Sequence, residues 1–263
     1  MNKFSIIVPT LNSYKILINL VNSIESQTWK IWEVVFVDGE SDQNHIDYLK
    51  ELCNRDKRFS FYKQSKSNNG IFGAMNQGIE IIDKNSWFLF LGSDDRLRDD
   101  FTLEKLNIKI NSLGSNNIDL LTCRGIYFDV RKNTYTRDAY FINKKDDTLL
   151  NLDDYKKLIY KGYIPPHQTT LFNGNSKVIL ERYNKNYKLA ADLELFCRLA
   201  KFSKNLYIAN ISLEIIFIAT GGVSNINHFL RVKEVISCYL KYFKFSFIFP
   251  FFCRYYNRLK QIL

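Results

Sequence analysis

Over the first hundred residues, short apolar runs alternate with stretches in which apolar residues return every three or four positions. That is the pattern of β-α units built around a parallel sheet. FSIIVPT (4–10) reads as a first strand. Leu17, Leu20, Val21 and Ile24 then fall at i, i+3, i+4 and i+7, one stripe on a helix that Asn12 or Ser13 would cap. WEVVFVD (32–38) is a second strand, a helix carrying Ile46, Leu49, Leu52 and Cys53 follows, and RFSFYKQ (58–64) alternates as a third strand. The next helix spaces Phe72, Met75, Ile79 and Ile82 by three and four. WFLFLG (87–92) is a fourth strand, its unbroken apolar run suited to burial on both faces.

Beyond Asp95 the rhythm changes. Leu103, Leu106, Ile110 and Leu113 mark one more amphipathic helix, after which DLLTCRGIYFDV (119–130) and TYTRDAYFI (134–142) read as strands of an antiparallel or mixed region. A loop at Pro165 and Pro166, a short strand TTLF (169–172), a helix around 191–201 and strands near 206–208 and 213–218 complete the series. No repeat or flexible linker interrupts it. The expectation is one α/β domain over residues 1–228, a mostly parallel central sheet flanked by helices, with an amphipathic helical appendage at 229–263.

Composition agrees with a globular chain, at 46% apolar and 24% charged, with a high aromatic share of 15%. The net charge of +10 matters for where it sits: residues 229–263 hold seven lysines and arginines against one acid, Glu234. Their interleaving with Tyr and Phe suits a membrane surface, where rings insert and cations meet anionic headgroups. Nucleic acid is the competing anion. The stretch 245–253 is broken by Pro250 and falls short of the roughly 20 residues a bilayer requires, so it is expected to lie on a membrane rather than cross it. Val232, Val235, Ile236, Tyr239, Leu240 and Phe243 recur at helical spacing, which would also dock a terminal helix on the domain. Five scattered cysteines without a Cys-x-x-Cys pair argue against a disulfide framework or zinc site and for a reducing cytosol. MNKFSIIVPT is too short an apolar run for a signal-peptide core.

The chemistry gathers at strand ends. The four strands end in, or lead to, PTLN (9–12), VDGESD (37–42), KSNNG (66–70) and GSDD (92–95), and ligands of open parallel sheets bind beyond such carboxyl ends. Asp38, Asp94 and Asp95 would then be near neighbours, a costly group unless a cation sits among them. Oxygen ligands of this kind select Mg²⁺ or Mn²⁺, held by one or two carboxylates together with substrate phosphates. The plainer alternative is that Asp94 or Asp95 caps the following helix. Gly70, Gly73 and Gly78 lack the G-x-G-x-x-G spacing and no P-loop motif occurs, which weakens dinucleotide-oxidoreductase and P-loop readings.

These segments together resemble glycosyltransferase family two, inverting enzymes with a nucleotide-sugar-binding GT-A fold that is Rossmann-like. The resemblance rests on SIIVPTLNSYKILINLVNSIESQTWKIWEVVFVDGESD, NNGIFGAMNQGIE and WFLFLGSDD, the last an Asp-x-Asp-like metal motif. PPHQTTLF, LAADLELFCRLA and ATGGVSN are similar to C-terminal motifs of the branch that builds bacterial surface polysaccharides. By that resemblance Asp38 contacts the nucleotide base, and Pro9, Thr10, Asn12, Asn69, Gly70 and Ala74 line the nucleotide-sugar site. Asp94 approaches the ribose, Asp95 binds the metal, and Asp192 is the catalytic base. The Gln-x-x-Arg-Trp mark of processive synthases is absent from the sequence, and so is an array of transmembrane segments, which implies single-sugar addition.

Inverting transfer needs a base that takes the acceptor hydroxyl proton and charge stabilisation on the departing diphosphate. Asp192 serves the first need or, as a plain helix-start residue, merely opens a helix. Glu194 and Arg198 stand at i, i+4 and read as a surface ion pair, with Glu194 as a second candidate base. His167, after two prolines, touches the acceptor or the metal, or is an ordinary loop histidine. Gly221 and Gly222 bring a backbone close to the ligand or form a turn. The expected partners are a nucleotide sugar, UDP-linked by family habit, and a polyprenyl-diphosphate-linked saccharide of O-antigen or capsule synthesis, without nucleic acid. The expected place is the cytoplasmic face of the cell membrane. The competing class is a non-catalytic membrane- or nucleic-acid-binding module using the basic tail.

Overall fold

The computed structural model of the chain describes residues 1–114, 118–129, 132–177, 181–220 and 227–260. Its first half follows the expected β-α alternation: β1 (Phe4–Thr10), α1 (Tyr14–Glu25), β2 (Trp32–Asp38), α2 (Gln43–Arg55), β3 (Phe59–Lys63), α3 (Gly70–Ile81) and β4 (Trp87–Phe90). Next come β5 (Arg96–Leu97), α4 (Thr102–Ser112), β6 (Leu120–Asp129), β7 (Thr134–Ala139), β8 (Thr148–Leu150) and α5 (Leu152–Tyr160). β9 (Thr170–Asn173), α6 (Ala191–Phe202), β10 (Ile208–Ala219), α7 (His228–Phe243) and α8 (Ile248–Lys260) complete the described elements.

The strands join in one sheet of order β3-β2-β1-β4-β9-β6-β10-β5, with β7 on β6 and β8 on β10. β3, β2, β1 and β4 are mutually parallel, and β9 turns antiparallel against both β4 and β6. The second half is therefore mixed, as the loss of β-α rhythm after Asp95 predicts. Side-chain alternation splits the core into two layers. Ile7, Val35 and Val37 face α3, α5, α6 and α7, while Phe4, Ile6, Val8, Val34 and Phe36 face α1, α2 and α4. Strands so covered on both faces need no polar side, which explains their unbroken apolar runs. At Gly78 a Cβ would stand 2.3 Å from Ile7 Cγ2, so this glycine lets α3 press onto β1.

Two local expectations change, and α7 takes the docked alternative. The strands foreseen at 206–208 and 213–218 are one strand, β10, whose pairing with β6 shifts register between Asn210 and Ile216. His45, not Ile46, is the fully buried residue of the first turn of α2. α7 is part of the core, burying Val235, Cys238, Tyr239 and Tyr242. Glu234, its one acid, accepts the N–H groups of Lys188, Leu189 and Ala190, which ties α7 to the approach to α6. His228–Lys260 is long and apolar enough to cross a membrane by length and composition, but Lys244 at φ 51° interrupts it and one face is packed on the domain.

Candidate active site

Register delivers the polar strand ends side by side, with Thr10 opposite Asp38 across β1 and β2. Asp38 is buried, and its carboxylate is fixed by Thr10 Oγ1 at 3.4 Å, Ser41 Oγ at 2.5 Å and the Ser41 N–H at 3.0 Å. His45 Nε2 lies 3.5 Å from the same carboxylate, and burial pulls the imidazole pKa below its usual value. Asn12 does not cap α1. At φ 49° it accepts the Asp42 N–H at 2.8 Å and donates its own N–H to Ser41 Oγ at 2.8 Å, stitching the loops after β1 and β2 together. The Pro9 carbonyl accepts from Ser93 Oγ at 3.3 Å, joining those loops to the end of β4. Asn69 and Gly70, at φ +75°, are exposed where α3 begins, whereas Ala74 is buried in the core and gives a ligand no open surface.

Asp94 and Asp95 follow β4. Neither caps α4, whose N-cap is Phe101. Asp95 accepts the Gly92 N–H at 2.7 Å and the Ala219 N–H at 3.0 Å, a bond that fixes the end of β10. Asp38 does not join them in a triad, since among the described residues no three His, Cys, Asp or Glu side chains form a metal-holding group. The pair itself converges: a Cβ on Gly92 would stand 2.8 Å from Asp94 Oδ1 and 3.1 Å from Asp95 Oδ2. Burial, then the charge of Asp94, pushes the Asp95 carboxyl up to about 7 despite its two N–H donors, and burial raises Asp94 as well. Two carboxylates meeting over a space that only glycine leaves open, both disfavoured as anions, suit a hard divalent cation completed by phosphate or water oxygens. Asp94 and Asp95 therefore fit Mg²⁺ or Mn²⁺.

Behind the same end of β4 lies a cavity of about 100 Å³ whose wall includes Asp192, His167, Gln168, Arg137, Arg254 and Arg258. Asp192 stands half-buried in the first turn of α6. His167 stacks on Phe90 of β4, ring centroids 5.0 Å apart, and its Nε2 meets Tyr183 Oη at 2.6 Å. Burial lowers His167 to about 4 although Asp192 opposes this, so it is a neutral hydrogen-bonding group at physiological pH. Phe90 thus connects the acid pair beyond it to the Asp192 cavity.

A family model described as Glycosyl transferase family 2 matches residues 5–183. The chain belongs to glycosyltransferase family 2. A PGL/p-HBAD biosynthesis glycosyltransferase, found in Mycobacterium tuberculosis and Mycobacterium bovis, is 27% identical over 229 residues, 84% of this chain and 79% of that protein. Among solved structures, S. aureus TarS 1-349 superposes with a TM-score of 0.66 at 18% identity over 91% of this chain, which spans 65% of that one. The mannosyltransferase PcManGT from Pyrobaculum calidifontis, solved with GDP-Man and Mn²⁺, gives 0.58 at 12% identity over 91% of this chain and 63% of its own. The fold is GT-A, and the protein is a glycosyltransferase, which removes the non-catalytic binding module as an alternative.

Within this family 2 glycosyltransferase two expectations are corrected. Glu194 is not a surface residue: its carboxylate is 1% exposed and receives Tyr242 Oη, Lys241 Nζ at 3.1 Å and the Arg198 guanidinium, locking α6 to α7. It does not line the Asp192 cavity. Arg254 and Arg258, read from sequence as cations for lipid headgroups, also line the cavity instead of standing wholly in solvent. Gly222, a candidate acceptor or metal contact, and Gly221 lie outside the described residues. Sequence reasoning missed Ser41, which orients Asp38, and Tyr183, which pairs with His167. Ser41 carried a signal in its place three residues after Asp38, where a hydroxyl reaches back in a turn. Tyr183 carried none.

Proposed function

We propose that this glycosyltransferase is an inverting, metal-dependent enzyme that moves one sugar from a UDP-sugar to a hydroxyl of a lipid-linked saccharide in bacterial surface-polysaccharide synthesis, O-antigen or capsule. The observation that carries the reading is the pairing of two sites at one end of β4: carboxylates converging over Gly92, and Asp192 in a cavity beside His167. Support for the donor comes from TarS structures with UDP and UDP-GlcNAc. The mycobacterial relative's name, a PGL/p-HBAD biosynthesis glycosyltransferase, supports a role in glycan biosynthesis.

Asp38, held by Ser41 and Thr10, orients the nucleotide base, while Asn12, Asn69 and Gly70 border the donor and Asp94 and Asp95 hold the cation. That cation, when bound, supplies positive charge against the diphosphate. Asp192 accepts the proton of the acceptor hydroxyl as its oxygen attacks the anomeric carbon from the face opposite the diphosphate. The new C–O bond forms as the anomeric carbon–phosphate oxygen bond breaks, and the nucleoside diphosphate leaves with that electron pair. His167, neutral and bonded to Tyr183, shapes the acceptor wall and does not serve as the base. Peripheral attachment to the cytoplasmic leaflet is supported by exposed Phe245, Ile248, Phe249, Phe252, Tyr256 and Leu259, which follow one face along and just before α8.

The test is a panel of nucleotide sugars offered with Mn²⁺, scored for slow donor hydrolysis, followed by NMR of the anomeric centre once an acceptor is found. Release of UDP from one donor and inversion at its anomeric carbon are expected. Retention of configuration, or turnover undiminished by a chelator, would overturn the proposal.

A further inference from the structure

The cavity beside Asp192 has an unusual wall for a site read as binding a neutral sugar. Three of its lining residues are arginines, Arg137 of β7 and Arg254 and Arg258 of α8, against one carboxylate, Asp192. Arg254 and Arg258 are one helical turn apart and so share a face. Among the described residues neither forms an ion pair with a carboxylate, whereas the exposed Lys and Arg of α2 and α5 commonly do. Crowding of like charge is felt there: Arg254 first, then burial, brings Arg258 down to about 9, with Arg137 and Arg231 adding to the effect.

The placement of α8 is built in. Gly162, at φ +76°, comes so close that a Cβ would lie 2.3 Å from the Arg254 nitrogen and 2.8 Å from its Cα. Asn257 Nδ2 donates to the Lys161 carbonyl at 3.0 Å, and Tyr160 stacks on Phe249 at 5.2 Å. These contacts pin the helix by its backbone and by both ends, so its arginines are held toward the cavity while the aromatic stripe faces outward. The guanidiniums of Arg254 and Arg258, part-buried with Asp192 as the one carboxylate in the cavity wall, are matched by phosphate oxygens, which accept paired, charge-assisted hydrogen bonds.

We propose that Arg254 and Arg258, with Arg137, form an anion subsite beside Asp192 that holds the phosphate or diphosphate joining the acceptor saccharide to its lipid. The inference rests on reading Asp192 as the base of a transferase with a lipid-linked acceptor and adds the group by which that acceptor is held. Binding there places the first sugar beside Asp192, so these arginines are specificity residues for acceptors that carry phosphate, and the donor site does not use them.

The experiment uses the full chain with inorganic pyrophosphate as probe, a chelator present and UDP at saturation, so that the donor end is either metal-free or filled. Binding is followed by calorimetry for the wild type, Arg254→Gln, Arg258→Gln and, as control, Asp95→Asn. Wild type and Asp95→Asn are expected to bind pyrophosphate alike, and each arginine variant at least tenfold more weakly, with circular dichroism unchanged. Loss of binding in Asp95→Asn but not in the arginine variants would assign the anion to the donor site and overturn the proposal. Flotation with phosphatidylcholine vesicles, with and without phosphatidylglycerol, separates the other source. If the variants lose only phosphatidylglycerol-dependent flotation and keep pyrophosphate affinity, the arginines serve headgroups and the proposal fails. Donor hydrolysis is measured in parallel without acceptor. Its absence in the wild type would count against the transferase reading alone, because the pyrophosphate result stands without it.

Discussion

Replacing Glu194 by Ala separates the two carboxylates at the start of α6. The side chain is 1% exposed and gathers three donors, Tyr242 Oη, Lys241 Nζ and Arg198. Removing one partner of a buried charge network costs about 3–5 kcal/mol. The lower end applies here, because Arg198 keeps Glu181 and the Arg182 carbonyl and Lys241 is 48% exposed, free to turn to water. What remains is an orphaned Tyr242 hydroxyl and lost charge-assisted bonds, together about 3 kcal/mol. In a chain of this size that lowers the melting temperature by about 6–12 °C. Burial by itself would raise the Glu194 pKa, but Tyr242, Arg198 and Lys241 outweigh it and hold the group below its ordinary 4.5. Its contribution is therefore present above pH 4.5 and fades as pH falls through the depressed folded value, so wild type and variant should converge in acid. Thermal unfolding by circular dichroism, with donor hydrolysis at a temperature where both are folded, is the assay. Glu194→Ala should lose stability and keep hydrolysis within about threefold. Asp192→Asn should melt within a few degrees of wild type yet lose transfer by about 10²-fold or more. A Glu194→Ala protein as stable as wild type but inactive would refute this assignment of roles.

Asp95 makes the proposed metal site sensitive to pH in a defined direction. Its folded pKa of about 7 exceeds the ordinary 3.8, so the metal-free fold should lose up to about 4 kcal/mol as pH rises from 4 past 7. Asp95→Asn should flatten that slope and abolish stabilisation by Mn²⁺, both read from melting curves at pH 5.5 and 8 with and without the ion. On the outer face of α8, Phe252→Glu together with Leu259→Glu should reduce co-flotation with vesicles while leaving donor hydrolysis intact, since both side chains are more than half exposed.

What the sequence revealed followed from local periodicity. Leu17, Leu20, Val21 and Ile24 bury as one stripe because a helix of 3.6 residues per turn puts them on one side, and Ile7 and Phe90 bury because their strands have helices on both faces. The strand ends followed from that order, and with them Asp38 beside Thr10 and the Asp94–Asp95 pair. Legibility failed where a partner came from far along the chain. Nothing near Glu194 announces Lys241 or Tyr242, so an i, i+4 neighbour looked like its whole environment. His45 buries because Asp38 is ahead of it in the fold, a relation that α2 taken alone does not encode. Arg254 and Arg258 were misread for the same reason: an amphipathic helix advertises an apolar side and a cationic side, and only Gly162 and Asn257 decide which of them turns inward.

The thickness of α8 itself has a geometric corollary. A helix with its side chains is about 10–12 Å across, and here one flank carries the outward aromatic stripe while the other borders the cavity that Asp192 lines. If α8 rests its stripe among headgroups, as proposed, Asp192 would ride at a nearly constant height above the lipid, like a tool on a fixed-length arm. Such a gauge would favour saccharides of one stature: a glycan too short would stay down among the headgroups, and one grown too tall would carry its terminal hydroxyl past Asp192. Chain position would then be measured by the breadth of a single helix, with no contact to the sugars already in place.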